Sequence, residues 1–209
     1  MLKKRTNITY ANTMKKLLLI LLCLPMLGFG QTLIPDANFE QALINLGYDT
    51  PPIDGSVPTA NIDTITSLYI GGQNIADLTG IEDFTALTYL NCSENQLTSL
   101  DVGQNTALTD LRCDINQIIS LDVSQNMALT NLSVSDNQLT SLDVSQNIAL
   151  TGLGCAENQL TSLDLSQNIA LIGLICGEPL GSGGNLLTSL DVSQNTALTY
   201  LWCNNNLLT

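Results

Sequence analysis

The amino-acid sequence predicts a mainly β solenoid, in which short coils stack on one another along the chain. A leucine recurs at a constant interval of 108 minus 87, or 21, at Leu87, Leu108, Leu129, Leu150 and Leu171, and then at Leu198 after a six-residue insertion. Apolar and polar positions alternate after each of these leucines, which is the period of a β-strand. A coil this short leaves no room for a helix on its return path. Such a fixed spacing therefore indicates stacked coils whose equivalent side chains form columns.

Each coil follows one consensus, L-x-x-L-x-C-x-x-N-x-L, seen at Leu150, Leu153, Cys155, Asn158 and Leu160. The pattern resembles the leucine-rich repeat, with cysteine at the third apolar position and Val134 replacing it once. A similar motif fills the second half of each coil, so the coil divides into segments of ten and eleven residues. The same division is found in a short bacterial class of leucine-rich repeat. The resemblance covers residues 65–209. It implies a right-handed solenoid with parallel strands on the concave face and an extended convex side.

Residues 1–30 have the features of an export signal. Lys15 and Lys16 precede an apolar run that is too short to span a membrane, and small residues follow before Gln31. Met14 fits the start of such a signal better than Met1. We therefore expect a secreted or surface-associated protein, with no membrane insertion once the signal is cleaved. The residues around Cys23 lack the small neighbours of a lipid-attachment site.

Charge narrows the partners that the chain can bind. Residues 31–209 hold one cation, Arg112, and all 19 acidic residues, so their net charge is 1 minus 19, or −18. Nucleic acids and anionic membranes bind through Lys and Arg, so neither is an expected partner.

Residues 31–64 are predicted to form an amino-terminal cap. Phe39, Ala42, Leu43 and Leu46 fall on one helical face, after an Asp36 or Asn38 cap and before a stop at Gly47. The segment is similar to the cap of internalin-like bacterial proteins, where a short helix covers the first coil. At the other end, Thr209 falls midway through a coil, which predicts repeats that are truncated or uncapped there.

Two columns of asparagine are predicted to hold the turns of the solenoid. A buried amide there can bond backbone groups of its own and neighbouring coils. The first column is a structural ladder of Asn95, Asn116, Asn137, Asn158, Asn185 and Asn206. The second column is Asn105, Asn126, Asn147, Asn168 and Asn195.

The cysteines of the repeats are predicted to be small buried side chains rather than disulfides. Five share one inward slot: Cys92, Cys113, Cys155, Cys176 and Cys203. Equivalent residues on parallel strands point their Cβ atoms in parallel, a poor arrangement for a disulfide. One or two bridges between neighbouring coils are the alternative.

The sequence offers little for catalysis, and we predict no enzyme and no cofactor. It contains no histidine, so Ser-His and Cys-His nucleophiles are excluded, and it has no phosphate-binding glycine loop. No metal site is predicted either, apart from a weak calcium option. That option is a column of carboxylates with one per coil, Asp101, Asp122, Asp143, Asp164 and Asp191. Hydrogen bonding of these carboxylates to nearby serines is the simpler interpretation.

Outward positions of the first strand vary from coil to coil, as on a recognition surface with a rigid frame. The candidate ligand-binding residues of this expected concave face are Tyr89, Asn91, Arg112, Ile175, Tyr200 and Trp202. Gly152, Gly154 and Gly173 form a smooth patch beside them. We therefore expect a binding module for a protein or glycan. A structural or adhesive spacer, and a binding segment of a longer protein with a domain beyond Thr209, are the alternatives.

Overall fold

The computed structural model describes residues 30–177 and 184–209. The predicted export signal, up to residue 29, and most of the insertion, residues 178–183, lie outside the described residues. The cap contains strand β1 (Gln31–Leu33), helix α1 (Ala37–Asn45), strand β2 (Ser56–Pro58) and a 3-10 turn (Thr59–Asn61). One more 3-10 turn spans Ile81–Asp83. The repeats contribute β3 (Ser67–Tyr69), β4 (Tyr89–Asn91), β5 (Asp110–Arg112), β6 (Asn131–Ser133), β7 (Gly152–Gly154), β8 (Gly173–Ile175) and β9 (Tyr200–Trp202).

Strands β3 to β9 form one seven-stranded sheet in sequence order, and every neighbouring pair is parallel. Their central residues lie side by side as Leu68, Leu90, Leu111, Leu132, Leu153, Leu174 and Leu201. The repeat period is therefore one turn of the solenoid, and the predicted fold class is confirmed. The six-residue insertion leaves the register of β8 and β9 unchanged.

The core is a continuous stack of apolar side chains that no single coil could bury alone. The opening leucines of the regular coils have no exposed surface: Leu87, Leu108, Leu129, Leu150 and Leu171. The central leucines of the strands, from Leu90 to Leu174, are at most 2% exposed. Burial of a leucine stabilises the fold by roughly 2 kcal/mol, so each added coil contributes through its neighbours.

The second flank of each coil is extended but forms less sheet than the first. Its apolar residues point inward, as Leu100 and Val102 show, while Asp101 points outward. In the described part of the chain, the flank shows one bridge between coils, from Asp101 to Asp122. Each aspartate of this flank, including the bridged pair, accepts the backbone N–H two residues later in a local turn.

Asp36 links helix α1 to the first coil, and Glu40 links the helix to a loop of the cap. One carboxylate oxygen of Asp36 accepts the N–H groups of Asn38 and Phe39 and so caps the helix, while the other accepts those of Ala76 and Asp77 in the first coil. Glu40 is buried, and its two oxygens accept the N–H groups of residues 54 and 55.

The apolar face of α1 is shorter than predicted. Phe39, Ala42 and Leu43 are buried, and the Phe39 ring lies 6.2 Å from that of Phe84. Leu46 is 43% exposed because it is the C-cap residue, after which Gly47 turns the chain with φ +80°.

One non-glycine residue in most coils takes a left-handed backbone conformation after the sheet strand. These residues are Asn74, Glu94, Ile115, Asp136, Glu157 and Asn205, with φ between 50° and 58°. From Glu94 onward, each directly precedes an asparagine of the first column. The conformation redirects the chain so that the asparagine amide enters the core.

Leucines of the last coil are exposed: Leu201 by 39%, Leu207 by 56% and Leu208 by 38%.

None of the helices within residues 30–177 and 184–209 has the length and apolar character to cross a bilayer.

Candidate functional site

The outward side chains of β3 to β9, with the residue two positions beyond each strand, form a surface that we call the sheet face. Charge on this surface is confined to the β5 coil, in Asp110, Arg112 and Asp114. From Asn131 onward, the outward positions carry amide, hydroxyl, small, apolar and aromatic side chains. The part of the sheet face from β6 to β9 therefore carries no charged side chain.

A shallow depression of about 430 Å³ lies in the middle of the sheet face. Gly152, Gly154 and Gly173 line it, because these strands lack outward side chains at those points. A Cβ atom added to Gly152 would lie 2.7 Å from Oδ1 of Asn131, while one at Gly173 would be no nearer than 4.0 Å to Tyr200. A side chain at position 152 would therefore require the Asn131 side chain to shift, whereas one at 173 would meet open space.

Arg112 and Asp110 stand at one side of the depression. The Nε atom of Arg112 donates to Oδ1 of Asp110 over 3.1 Å, and its NH2 group reaches Oδ2 at 3.4 Å. The Arg112 side chain is 49% exposed, whereas that of Asp110 is 18% exposed. The hydrogen bond with Asp110 raises the pKa of Arg112, which stays protonated.

Asp114, two residues after the β5 strand, joins three coils. Its carboxylate accepts the hydroxyl protons of Ser93 and Ser133 and the backbone N–H of Ser135. These contacts fix the floor around Arg112 and leave the carboxylate few acceptor positions for a ligand.

Aromatic side chains form two clusters on the sheet face. At the β3 and β4 end, the ring centroids of Tyr69 and Tyr89 are 4.7 Å apart, and the guanidinium carbon of Arg112 lies 5.4 Å from the Tyr89 ring. At the β9 end, the centroids of Tyr200 and Trp202 are 5.0 Å apart. Paired rings of this kind present flat, rigid contact area at low entropic cost.

The six candidate residues take different places. Arg112, Ile175 and Tyr200 line the depression together, Trp202 adjoins Tyr200, and Tyr89 lies under Arg112. Asn91 is used internally, since its Oδ1 atom accepts the N–H of Ser93 in a local turn.

Tyr69 is an aromatic residue of this surface that the sequence pattern did not single out. It is 61% exposed, more than any other tyrosine on the face. A signal was available, because Tyr69 lies between Leu68 and Ile70 at the outward position of the first strand. The first coil is one residue longer than the regular coils. An alignment of outward positions that starts from the regular coils therefore begins at Tyr89 and omits Tyr69.

The first asparagine column bonds extensively. Asn158, for example, donates from Nδ2 to the carbonyls of Val134, Cys155 and Ala156, and its Oδ1 atom accepts the N–H of Leu139. Asn95, Asn116, Asn137, Asn185 and Asn206 likewise link their own coil to the preceding one.

The second asparagine column is only half used. Asn147 donates from Nδ2 to the carbonyls of Val123 and Asn126 in the preceding coil. In the chain described by the structure, its Oδ1 atom accepts no hydrogen bond, and the same is true of Asn105, Asn126, Asn168 and Asn195.

The aspartates of the calcium option are occupied by their own backbone. Oδ1 of Asp101, Asp122, Asp143, Asp164 and Asp191 accepts the N–H two residues later, from Gly103 or a serine. These bonds, first to the serine backbone and then to its hydroxyl, lower the pKa of the last four. Over residues 30–177 and 184–209, no group of three His, Cys, Asp or Glu side chains is close enough to hold a metal ion.

The repeat cysteines are free thiols in the structure, and all but Cys203 are buried. Thiols of Cys92 and Cys113 donate to the carbonyls of Arg112 and Ser133 in the next coil. Burial raises the pKa of Cys92 and of Cys176 to about 12, and that of Cys113 and Cys155 upward as well. Such thiols do not form the thiolate that nucleophilic chemistry requires.

Comparison with known proteins relates this geometry to bacterial repeat proteins. No protein-family model matches the chain. Over 71 residues, or 34% of this chain, the sequence is 40% identical to Internalin J of Listeria monocytogenes, of which the match covers 8%.

Solved structures give the same relationship. The functional domain of internalin J, described as including a cysteine ladder, matches with a TM-score of 0.56 and 32% identity, over 85% of this chain and 48% of that one. A leucine-rich-repeat protein of Leptospira interrogans matches with a TM-score of 0.55 and 26% identity, over 62% of this chain and 34% of that one. Internalin C2 of L. monocytogenes shares the fold, with a TM-score of 0.61 at 17% identity over 86% of this chain and 90% of that one.

The chain spans under a tenth of the curated relative and about half of the solved internalin J domain. An internalin-like solenoid is generally a scaffold for binding rather than for catalysis. Its parallel register, helical cap, asparagine columns and likeness to internalin J identify the chain as an internalin-like leucine-rich-repeat protein.

Proposed function

We propose that the chain is a secreted or surface-associated, non-enzymatic binding module that recognises a protein or glycan through the sheet face. The depression floored by Gly152, Gly154 and Gly173 is the observation that supports this most directly. It combines a rigid backbone floor with Arg112 at one side and Tyr200 at the other. Arginine and aromatic residues are the common anchors of binding surfaces.

The chemistry of the chain supports a role without catalysis. The sequence has no histidine, and the buried thiols are held in their protonated form by their high pKa. Carboxylates on both flanks are engaged by backbone N–H groups and serines. The described residues therefore offer a recognition surface rather than a base and nucleophile pair.

Export is the part of the proposal that rests on residues 1–30. Their basic start, apolar run and small residues before Gln31 are those of a cleavable signal. Mass spectrometry of the mature protein from the culture medium or the cell surface tests this point. An amino terminus at Gln31 is expected, whereas a chain retained inside the cell with an intact leader would contradict it.

Purified extracellular proteins and glycans, presented on arrays, test recognition by the full chain. The decisive variant is Tyr200→Ser with Trp202→Ser, and the matched control is Met127→Ser with Ile148→Ser. The two control residues are each 61% exposed and lie outside the sheet face.

We expect the aromatic variant to lose at least about tenfold in affinity for any ligand found, while the control binds like the natural chain. Far-UV circular dichroism must show that both variants fold. An equal effect of the two variants would favour the alternative, a spacer whose repeats set length and surface charge.

A further inference from the structure

The part of the sheet face from β6 to β9 carries no charged side chain although the chain as a whole is strongly acidic. Residues 31–209 have 19 acidic side chains, yet the outward positions from Asn131 to Asn204 hold none of them. Arg112, in the preceding coil, is paired with Asp110. A cationic ligand would find its counter-charges on the β5 coil and on the other flank, so the part of the surface from β6 to β9 matches an uncharged ligand.

The two aromatic clusters lie far apart along the solenoid. Five strand steps separate Tyr89 on β4 from Tyr200 on β9. At about 4.8 Å per step, the distance is roughly 24 Å. Between them lie the paired Arg112 and Asp110, then Asn131, Ser133 and the glycine-floored depression. The surface is thus a track with a stacking platform at each end and polar groups between.

Recognition on this track must come from side chains. Strands β4 to β8 are each paired with a neighbouring strand on both sides, so an extended peptide that lies across them cannot add to the sheet there. Nor is there an apolar groove for an amphipathic helix, because glycine, serine and asparagine predominate in the middle of the track, where Ile175 is the large apolar side chain among the described outward residues. Rings and hydroxyl or amide groups remain, and these suit a ligand with flat apolar faces and many hydroxyl groups.

We propose that the ligand is an uncharged linear oligosaccharide that lies across the strands, stacked on Tyr200 and Trp202 at one end and on Tyr69, beside Tyr89, at the other. The proposal rests on the proposed function and names the class of ligand for the same site. Asn131 and Ser133 supply donors and acceptors for sugar hydroxyl groups between the platforms. Because two platforms act on one chain, long oligosaccharides bind more tightly than short ones.

Trp202 provides a direct readout, since it is the single tryptophan of the sequence. The experiment titrates the full chain with cello-, malto- and chito-oligosaccharides, each as a disaccharide, a tetrasaccharide and an octasaccharide, and follows tryptophan emission. An octagalacturonate serves as the anionic counterpart, and a proline-rich peptide represents a protein ligand that uses aromatic platforms.

We expect saturable emission changes with at least one neutral series, and at least about tenfold tighter binding of its octasaccharide than of its disaccharide. The affinity should stay within about twofold up to about 1 M salt, where the screening length is about 3 Å. Tyr69→Ser should weaken the octasaccharide and leave the disaccharide unchanged, because it removes only the distant platform. Met127→Ser, a change outside the sheet face, should alter neither.

The proposal is overturned if none of the neutral sugars changes the emission of the folded chain. It is also overturned if binding is lost at high salt, or if Tyr69→Ser weakens short and long sugars equally. Binding of the peptide or of an array protein, lost on Tyr200→Ser with Trp202→Ser, would refute the oligosaccharide while leaving the binding module intact. If array ligands bind but none of them depends on Tyr200 and Trp202, both the oligosaccharide proposal and the proposed binding surface are refuted.

Discussion

Ile115 shows how the coil geometry can override the preference of a single residue. It is held at φ +54°, a conformation that a β-branched residue rarely adopts, and its side chain is 52% exposed. Its N–H donates to Ser135, and its carbonyl accepts the N–H of Asn95. The neighbouring coils impose the turn, and the isoleucine tolerates it at a cost.

Ile115→Asn is therefore expected to stabilise the protein by about 1 kcal/mol, since asparagine accepts left-handed backbone with less strain. Urea unfolding followed by circular dichroism measures the change. Ile119→Asn is the matched control, because Ile119 is 61% exposed and its φ is not in the left-handed range. A stabilisation no larger than that of the control, which should stay within about 0.5 kcal/mol, would contradict the strain argument.

Asp36 couples the cap to the first coil, because it accepts two backbone N–H groups of helix α1 and two of that coil. Partial burial alone would raise its pKa, but the bonds from Ala76, Phe39, Asn38 and Asp77 together lower it. The folded form therefore holds the carboxylate ionised at a lower pH than the unfolded chain does. Its stabilising contribution is complete above the unfolded value of about 3.9 and is lost as the pH falls through the lower folded value.

Asp36→Ala should lower the unfolding free energy by about 2 kcal/mol at pH 7, from the lost helix cap and the two bonds to the first coil. The difference from the natural chain should shrink as the pH falls below about 4. Thermal unfolding at several pH values measures both effects. A difference that stays constant down to pH 2 would show that the carboxylate charge has no part in it.

At the scale of the element, the two asparagine columns hold the coils with different strength. Asn158 uses both its donor and its acceptor groups, whereas Asn147 uses its donor alone. Loss of the Asn158 side chain leaves the buried N–H group of Leu139 without its acceptor and the carbonyl group of Val134 without its donor. Loss of the Asn147 side chain leaves only the carbonyl groups of Val123 and Asn126 without a donor. An unpaired carbonyl group is tolerated better than an unpaired N–H group.

Asn158→Ala is expected to cost about 1 to 2 kcal/mol more stability than Asn147→Ala. Both asparagines are buried and lie in central coils, so the pair is well matched. Denaturant midpoints at constant slope give the comparison. Equal losses, or a greater loss for Asn147, would mean that the unused oxygen in the second column contributes as much as a hydrogen bond.

Over the whole molecule, the sequence period predicted those features that depend on position within a coil. Central leucines, the asparagine columns and the inward cysteines all follow from the period alone, because stacking places equal positions above one another. The second link of Asp36, to Ala76 and Asp77, could not be predicted, since it depends on how the cap meets the first coil. The left-handed turn at Ile115 was equally hidden, because the residue itself disfavours it.

The surface could be predicted in part. Arg112, Ile175 and Tyr200 follow from their columns, and the structure places them around one depression. The diagonal contact of Tyr69 with Tyr89 was missed because the irregular first coil breaks the count. Asn91 has the predicted outward position, although its amide serves the local turn.

The central claim is that each repeat unit is one exchangeable turn of a solenoid, and deletion of a single unit tests it most directly. Removal of residues 129–149 joins Ala128 to Leu150 and keeps every later side chain in its column, whereas removal of residues 135–141 takes out the turn with Asn137 and leaves 21 minus 7, or 14, residues in that coil, too few to complete a turn. Thermal unfolding, followed by far-UV circular dichroism, should show a cooperative transition for the first deletion and none for the second. Equal cooperativity in the two variants, or collapse of the first alone, would contradict the stacked-coil account.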